Sequence, residues 1–300
     1  MPQLGGEASI ATTSPARIMI YGREKTRKTM WALGAAQAGF NVLLIDGDDG
    51  AHIAAQYKPA DICRVGLVRC VDSPAEYTFV KLVKTALVGK PFAYREADQK
   101  LMTKTDDKPG WFECDGLLKA SRNDVLIIDS WTALTSSMKL QYSLANQIDL
   151  GDAEKTDWPG YGWMQNLTDY LLDCIHHLPC HVVVVAHEQI YEKYKGVGRD
   201  RVLDWQRTQP LGASGNTSGR LGKHFSDIFR FVGKGAKSTS VEAFGKSDQV
   251  GGSRYFKPGS FTYAGPDEKS DPTANWDFAQ YAKQAKMVPT GGAPTFYRFK

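Results

Sequence analysis

Apolar residues in this chain come in short continuous runs rather than in alternation. The runs are RIMIY at 17–21, NVLLID at 41–46, VLIID at 125–129 and HVVVVAH at 181–187. Continuous Val/Ile/Leu runs of this length predict strands covered on both faces. Between them lie helical patterns, KTMWALGAAQAGF at 28–40 and MQNLTDYLLDCIHHL at 164–178. Strands separated by helices predict an α/β core built on a mostly parallel, doubly wound sheet with helices on both faces. That core is expected over 17–264, after a flexible N-terminal segment (1–16) and before a C-terminal tail (265–300). Two stretches break the rhythm. Residues 90–116 are polar with scattered aromatics and read as a surface excursion. Residues 191–220 read as a long loop with more basic than acidic side chains. Residues 221–232 read as a helix or turn leading into a strand, and 235–264 carries hairpin-like turn clusters, a C-terminal β-hairpin extension. The last residues hold one weak helix and a Gly/Pro tail whose FYRFK end either docks a partner or frays.

Composition adds limits. With 300 residues, 42% apolar and 23% charged, the chain is long enough to bury a core without disulfides. The formal charge of +4 permits a nucleic-acid partner without demanding one. Five cysteines (Cys63, Cys70, Cys114, Cys174, Cys180) show no C-x-x-C spacing and read as reduced thiols, not as a zinc site. No run has the length of a membrane span and no apolar signal core opens the chain, so the expected location is the cytoplasm, without membrane contact.

The chemistry concentrates where the runs end. GREKTRKT, residues 22–29, follows the first strand and opens a helix. Backbone N–H groups in such a loop curl around phosphates, a lysine reaches the β- and γ-phosphates, and a Ser/Thr hydroxyl binds magnesium. Gly22, Lys28 and Thr29 occupy those positions, with Arg23, Glu24, Lys25 and Thr26 in between. Arg27 stands where the pattern wants glycine, which implies either a strained backbone or a slightly opened loop. Asp46, Asp48 and Asp49 follow the second strand, where a carboxylate serves as a base toward water or simply caps the next helix. Asp129 and Ser130 end the third, holding magnesium opposite Thr29 or forming an Asp-Ser helix cap. His187, Glu188 and Gln189 end the fourth, sensing a γ-phosphate or satisfying local backbone groups.

With these four segments the sequence resembles the RecA-type recombinase ATPases, and among them the phage-encoded Sak-type single-strand annealing ATPases, over roughly 17–235. GREKTRKT keeps that family's Gly22, Glu24, Lys28 and Thr29, and IDSWTALT is the most specific match. The resemblance implies a RecA-like P-loop core with ATP and Mg2+ as cofactors. It implies Asp48, Lys28 and Glu188 in catalysis and Thr29 and Asp129 at the metal. Nucleotide contacts would come from residues 22–29, His187 and Gln189. It further implies single-stranded DNA as partner, a homo-oligomer in ring or filament form, and a single-strand binding protein as a second partner, in the cytoplasm of a bacterial host. The DNA loops would be 146–162 and 191–220, the latter with Lys193, Lys195, Arg199, Arg201 and Arg207 among Tyr191, Tyr194 and Trp205. Lys246, Arg254 and Lys257 are candidates to complete a neighbouring subunit's site.

Three readings compete. The first is a DNA-dependent ATPase that coats or anneals single strands in phage recombination. The second is a nucleotide-binding scaffold whose phosphate loop, altered at Arg27, has lost turnover. The third is a partition-type ATPase, which LLIDGDD suits; that family places a lysine just before its first loop glycine, where this chain has Tyr21.

Overall fold

The computed structural model describes residues 14–50, 52, 57, 64–103, 109–148, 158–195, 202–212, 221–234, 238–243, 251–253, 255–256, 259–265, 275–289, 291, 293–294 and 296–299. The strands, in chain order, are β1 (Arg17–Gly22), β2 (Asn41–Asp46), β3 (Val65–Arg69), β4 (Phe92–Arg95), β5 (Lys100–Met102), β6 (Phe112–Cys114) and β7 (Asp124–Asp129). They continue with β8 (His181–Lys195), β9 (Val202–Pro210), β10 (Asp227–Gly233), β11 (Thr239–Glu242), β12 (Gly252–Ser253), β13 (Ser260–Tyr263) and β14 (Tyr297–Phe299). The described α-helices are α1 (Lys28–Gln37), α2 (Thr78–Leu87), α3 (Trp131–Ala145), α4 (Trp158–His177) and α5 (Phe278–Gln284).

The central sheet runs β13-β11-β10-β1-β8-β7-β2-β3, and the six strands from β10 to β3 are mutually parallel. Successive residues of its inner strands feed opposite cores, which is why the runs are continuously apolar. Ile18, Ile20, Val42, Leu44, Val125 and Ile127 pack under α1 and α5. Met19, Tyr21, Leu43, Ile45, Leu126 and Ile128 pack under α2, α3 and α4. The expected α/β class, with helices on both faces and an antiparallel extension at its C-terminal side, is the observed one. No helix among the described residues is long and apolar enough to cross a membrane.

Helix α1 is buried all round, from Lys28 to Ala36. An aromatic layer explains this. Trp31 stacks on Trp276 with ring centroids 5.3 Å apart and meets Phe229, Phe231, Phe278 and Tyr281. Each such fully buried ring contributes roughly 2–3 kcal/mol of transfer free energy. Arg17 is buried too, its guanidinium donating to the carbonyls of Cys180 (2.6 Å) and Leu178 just past the end of α4.

Three sequence expectations change. The surface excursion at 90–116 instead supplies three of the four strands of a second, antiparallel sheet ordered β14-β6-β4-β5, with Phe92, Tyr94, Phe112 and Cys114 buried. Its strands are only three or four residues long, too short to carry a periodic signal. The C-terminal FYRFK does not fray in its described part. It supplies β14, and the Tyr297 hydroxyl sits within 3.0 Å of the Val42 carbonyl and 2.9 Å of the Arg64 carbonyl. The 191–220 loop begins as strand: β8 runs on to Lys195 and folds against β9 as a projecting antiparallel ribbon.

Candidate functional site

Parallel strands end on one rim, so their carboxyl-terminal residues meet whatever their distance in sequence. Gly22 is level with His187, Asp129 with Val185, and Asp46 with Asp129. Four segments from four strands thereby surround one cavity of about 400 Å3.

The turn from β1 into α1 forms its floor. Lys28 donates to the carbonyls of Gly22 (3.0 Å) and Arg23 (2.7 Å) and reaches Thr26 Oγ1 (3.4 Å). Burial lowers the amine to about 8, against the opposing pull of Asp129, Asp48, Glu188 and Glu24. Arg27 stands in the left-handed region, with φ 64° and ψ 22°. Its guanidinium donates to the Ala264 carbonyl just past β13, and Thr239 on β11 donates to the Thr26 carbonyl (3.3 Å). The missing glycine is therefore met by backbone strain, with the C-terminal hairpin holding the loop from behind. A left-handed non-glycine residue costs about 1 kcal/mol, similar to one hydrogen bond. Arg27→Gly is expected to leave thermal stability nearly unchanged, trading strain for the lost bond. Arg27→Ala loses the bond and keeps the strain, so it should unfold about 1 kcal/mol more easily than the glycine variant. Equal melting of the two would remove strain from this account.

Acids form the opposite wall. The Thr29 hydroxyl donates to Asp129 Oδ2. Gly50 leaves room above that pair, since a Cβ there would lie 3.7 Å from Asp129 Oδ2 and 3.8 Å from Thr29 Oγ1. A hydroxyl and a carboxylate with open space above them suit a hard divalent cation such as magnesium. Asp46, fully buried, accepts from the backbone N–H of Asp48 (3.1 Å) and Gly50 (3.2 Å) and so fixes the acidic turn. Asp48 lies 3.2 Å from His187 Nε2. Burial would raise the Asp48 carboxyl, but hydrogen bonds from His187 and Ser130 and the charge of Lys28 outweigh it and hold it below the usual range. Asp129 goes the other way, to about 7, because burial and then the neighbouring Asp46 and Asp48 oppose its charge more than Thr29 and Lys28 favour it.

The raised Asp129 and the lowered Lys28 set a pH dependence. Asp129 holds a proton below about pH 7, and a cation docking there must displace it. Lys28 loses its proton above about pH 8, and phosphate binding must restore it. Magnesium–nucleotide affinity is therefore expected to peak between these values. It should fall by up to about tenfold per unit on either side, with proton release below the peak and uptake above it. Calorimetry in buffers of different ionisation enthalpy reads both signs. A flat affinity from pH 6 to 9 would contradict the assignment.

Of the expected nucleotide contacts, Glu24, Lys25, Thr26, Arg27, Lys28, Thr29 and His187 line the cavity, as do Asp48 and Asp129. Gly22 shapes it from beneath. The side chain of Arg23 turns away to Glu188 (3.1 Å). Glu188, expected in catalysis, is held between Arg23 and Arg230 (3.0 Å) and does not line the cavity. Gln189 is also off the wall, paired with Gln209 at the base of the ribbon. Sequence reasoning missed Gly50 and His52, both lining residues. Their place in DGDDGAH, directly after a parallel strand, was the available signal. Of the basic ribbon candidates, Lys193, Lys195 and Arg207 lie on β8 and β9. Arg199 and Arg201 lie outside the described residues, as do Lys246, Arg254, Lys257 and residues 149–157 of the first expected DNA loop.

A family model described as an AAA domain matches residues 14–209. The match spans every strand end that lines the cavity. A search of the curated proteins finds no match.

Proposed function

The chain belongs to the AAA domain family of P-loop ATPases, and from that premise we propose that it binds and hydrolyses ATP with magnesium while acting on single-stranded DNA. The observation that carries the nucleotide half is the convergence of Lys28, Thr29, Asp129 and Asp48 on one cavity at the sheet rim. Lys28 is the point charge for the phosphates, and Thr29 and Asp129 are the oxygen donors for the metal, which when bound neutralises phosphate charge.

The DNA half rests on the ribbon. Gln189, Tyr191, Lys193 and Lys195 alternate onto one face, and cross-strand register adds Arg207 opposite Tyr191. Basic and aromatic positions along one face fit a stacked single strand whose phosphates are tracked by cations. The ribbon also starts at the cavity, because β8 delivers His187 to the wall one residue before the Glu188–Arg23 ion pair. That continuity supports DNA-linked turnover, as does the resemblance to Sak-type annealing ATPases. Annealing in phage recombination, a homo-oligomeric ring or filament and a single-strand binding protein as partner belong to the same reading.

One observation favours the scaffold alternative. Lys28 is satisfied by its own loop carbonyls and must leave some of them to hold a phosphate. ATP turnover measured with and without single-stranded DNA decides. Turnover that DNA accelerates supports the proposal, and ATP binding without turnover favours the scaffold. Neutralising Lys193, Lys195 and Arg207 together is expected to weaken DNA binding and reduce its log–log salt slope by roughly 2, at about 0.7 per single-strand phosphate contact. Lys195 should contribute least, since Asp204 already holds it at 2.6 Å. An unchanged slope would move the DNA path elsewhere.

A further inference from the structure

Asp48 and His187 come from different strand ends, 139 residues apart, and meet through a single contact of 3.2 Å between Oδ2 and Nε2. Asp48 also takes a hydrogen bond from Ser130. An ionised carboxylate only accepts, so the shared hydrogen belongs to His187 Nε2. In the neutral imidazole, Nδ1 is then the acceptor nitrogen. Among the described residues Nδ1 meets no hydrogen-bond partner, while His187 itself lines the cavity together with Lys28, Thr29 and Asp129. The ring is held from its backbone as well. The His187 N–H donates to Thr132 Oγ1 at 2.9 Å, and its carbonyl accepts from Leu211 N–H at 2.7 Å.

A carboxylate that holds one nitrogen of an imidazole lining a reaction cavity is the arrangement of a general base with its positioning partner. We propose that His187 is the catalytic base of this site and Asp48 its positioning residue, with Nδ1 taking the proton of the attacking water. This rests on the reading of the cavity as an ATP-hydrolysing site, and it moves to His187 the base role that the sequence suggested for Asp48. In the step, the water oxygen bonds to the γ-phosphorus as the bond from that phosphorus to the bridging oxygen breaks. ADP leaves with the electron pair, and the water proton passes to Nδ1. The resulting imidazolium is stabilised by ionised Asp48 and returns its proton to the phosphate or to solvent. Asp48 stays ionised throughout.

The test uses the full chain and four proteins: wild type, His187→Ala, His187→Gln and Asp48→Asn. Affinity for a fluorescent ATP analogue and steady-state turnover are measured separately. Both His187 variants are expected to bind the analogue within about threefold of wild type and to turn over about 100-fold more slowly, the range of general-base catalysis. Free imidazole added at increasing concentration should restore part of the turnover of His187→Ala, in proportion to the free-base imidazole present. It should leave Asp48→Asn, which still carries its imidazole, slow. Glutamine can donate to Asp48 but is no base. Near-normal turnover in His187→Gln would make His187 a mere hydrogen-bond donor to Asp48 and overturn the assignment. So would a slow His187→Ala that imidazole does not rescue. A wild type that binds the analogue yet never hydrolyses ATP, with or without DNA, overturns the hydrolytic reading itself and this inference with it.

Discussion

Lys28→Ala is expected to lower nucleotide affinity by two orders of magnitude or more and to remove measurable turnover while the fold persists. The amine is the buried cation of the cavity floor, and its lowered value of about 8 shows how far solvent is withdrawn from it. A charge in such surroundings acts on phosphate with little screening. Hydrogen bonds to charged groups contribute about 1.5–3 kcal/mol each, so losing two to phosphate oxygens removes roughly 3–6 kcal/mol of binding. Stability should fall less. The bonds given up go to the carbonyls of Gly22 and Arg23 and to the Thr26 hydroxyl, all within the loop itself and none to the hydrophobic cores. Lys28→Arg is not expected to rescue, because a planar fork does not fit where a compact ammonium meets two converging carbonyls. Titration with a fluorescent ATP analogue alongside a thermal melt separates these outcomes. Retained affinity in a folded Lys28→Ala protein would end the account of the cavity.

Gly22→Ala is expected to be severely damaging. A Cβ at this position would lie 2.2 Å from the Phe231 carbonyl oxygen and 3.1 Å from its carbon. The obstacle is backbone, in the strand directly beside it, and β1 has β8 on its other edge. Neither neighbour can move without breaking ladder hydrogen bonds. A cost of about 3 kcal/mol or more follows, a melting shift of roughly 6–10 °C in a domain of this size. Because the same residue starts the phosphate loop, nucleotide affinity should fall with it. Gly162→Ala serves as the contrast: that helical position has nothing within 4 Å, and alanine there should be neutral or slightly stabilising. Equal melting temperatures for the two variants would show that the crowding at Gly22 is relieved cheaply.

The sequence made the centre of the fold legible and left its margins obscure. The runs ending at Gly22, Asp46, Asp129 and His187 are β1, β2, β7 and the inner half of β8, apolar because both faces are covered. Once they were parallel, their polar endings had to share a rim. That is why Lys28, Thr29, Asp48, Asp129 and His187 could be gathered from spacing alone. Edge and partner strands were hidden. β3, VGLVR, is only partly buried and carries a glycine, so it has neither a continuous run nor a clear alternation. β14 pairs with β6 from the far end of the chain, and no local pattern announces such a partner. The ribbon read as a loop because its outer half is exposed and polar. The ion pairing of Glu188 could not be read without seeing Arg230, a residue 42 positions away that holds it. Arg27 looked like damage in isolation, and the contact with Ala264 that accommodates it is a property of the folded chain.

The supports of the phosphate loop also bear on how this protein can be divided. The family match stops at residue 209, yet β1 is flanked by β10, and the residues behind Arg27 and Thr26 come from 239 and 264. Trp31 finds its ring partners at 229, 231, 276, 278 and 281. A shortened version ending at 209 would turn β1 into a raw edge strand and leave the hydrophobic flank of α1 bare to water, a surface prone to self-association. The borders of the recognisable homology are thus not the borders of a folding unit.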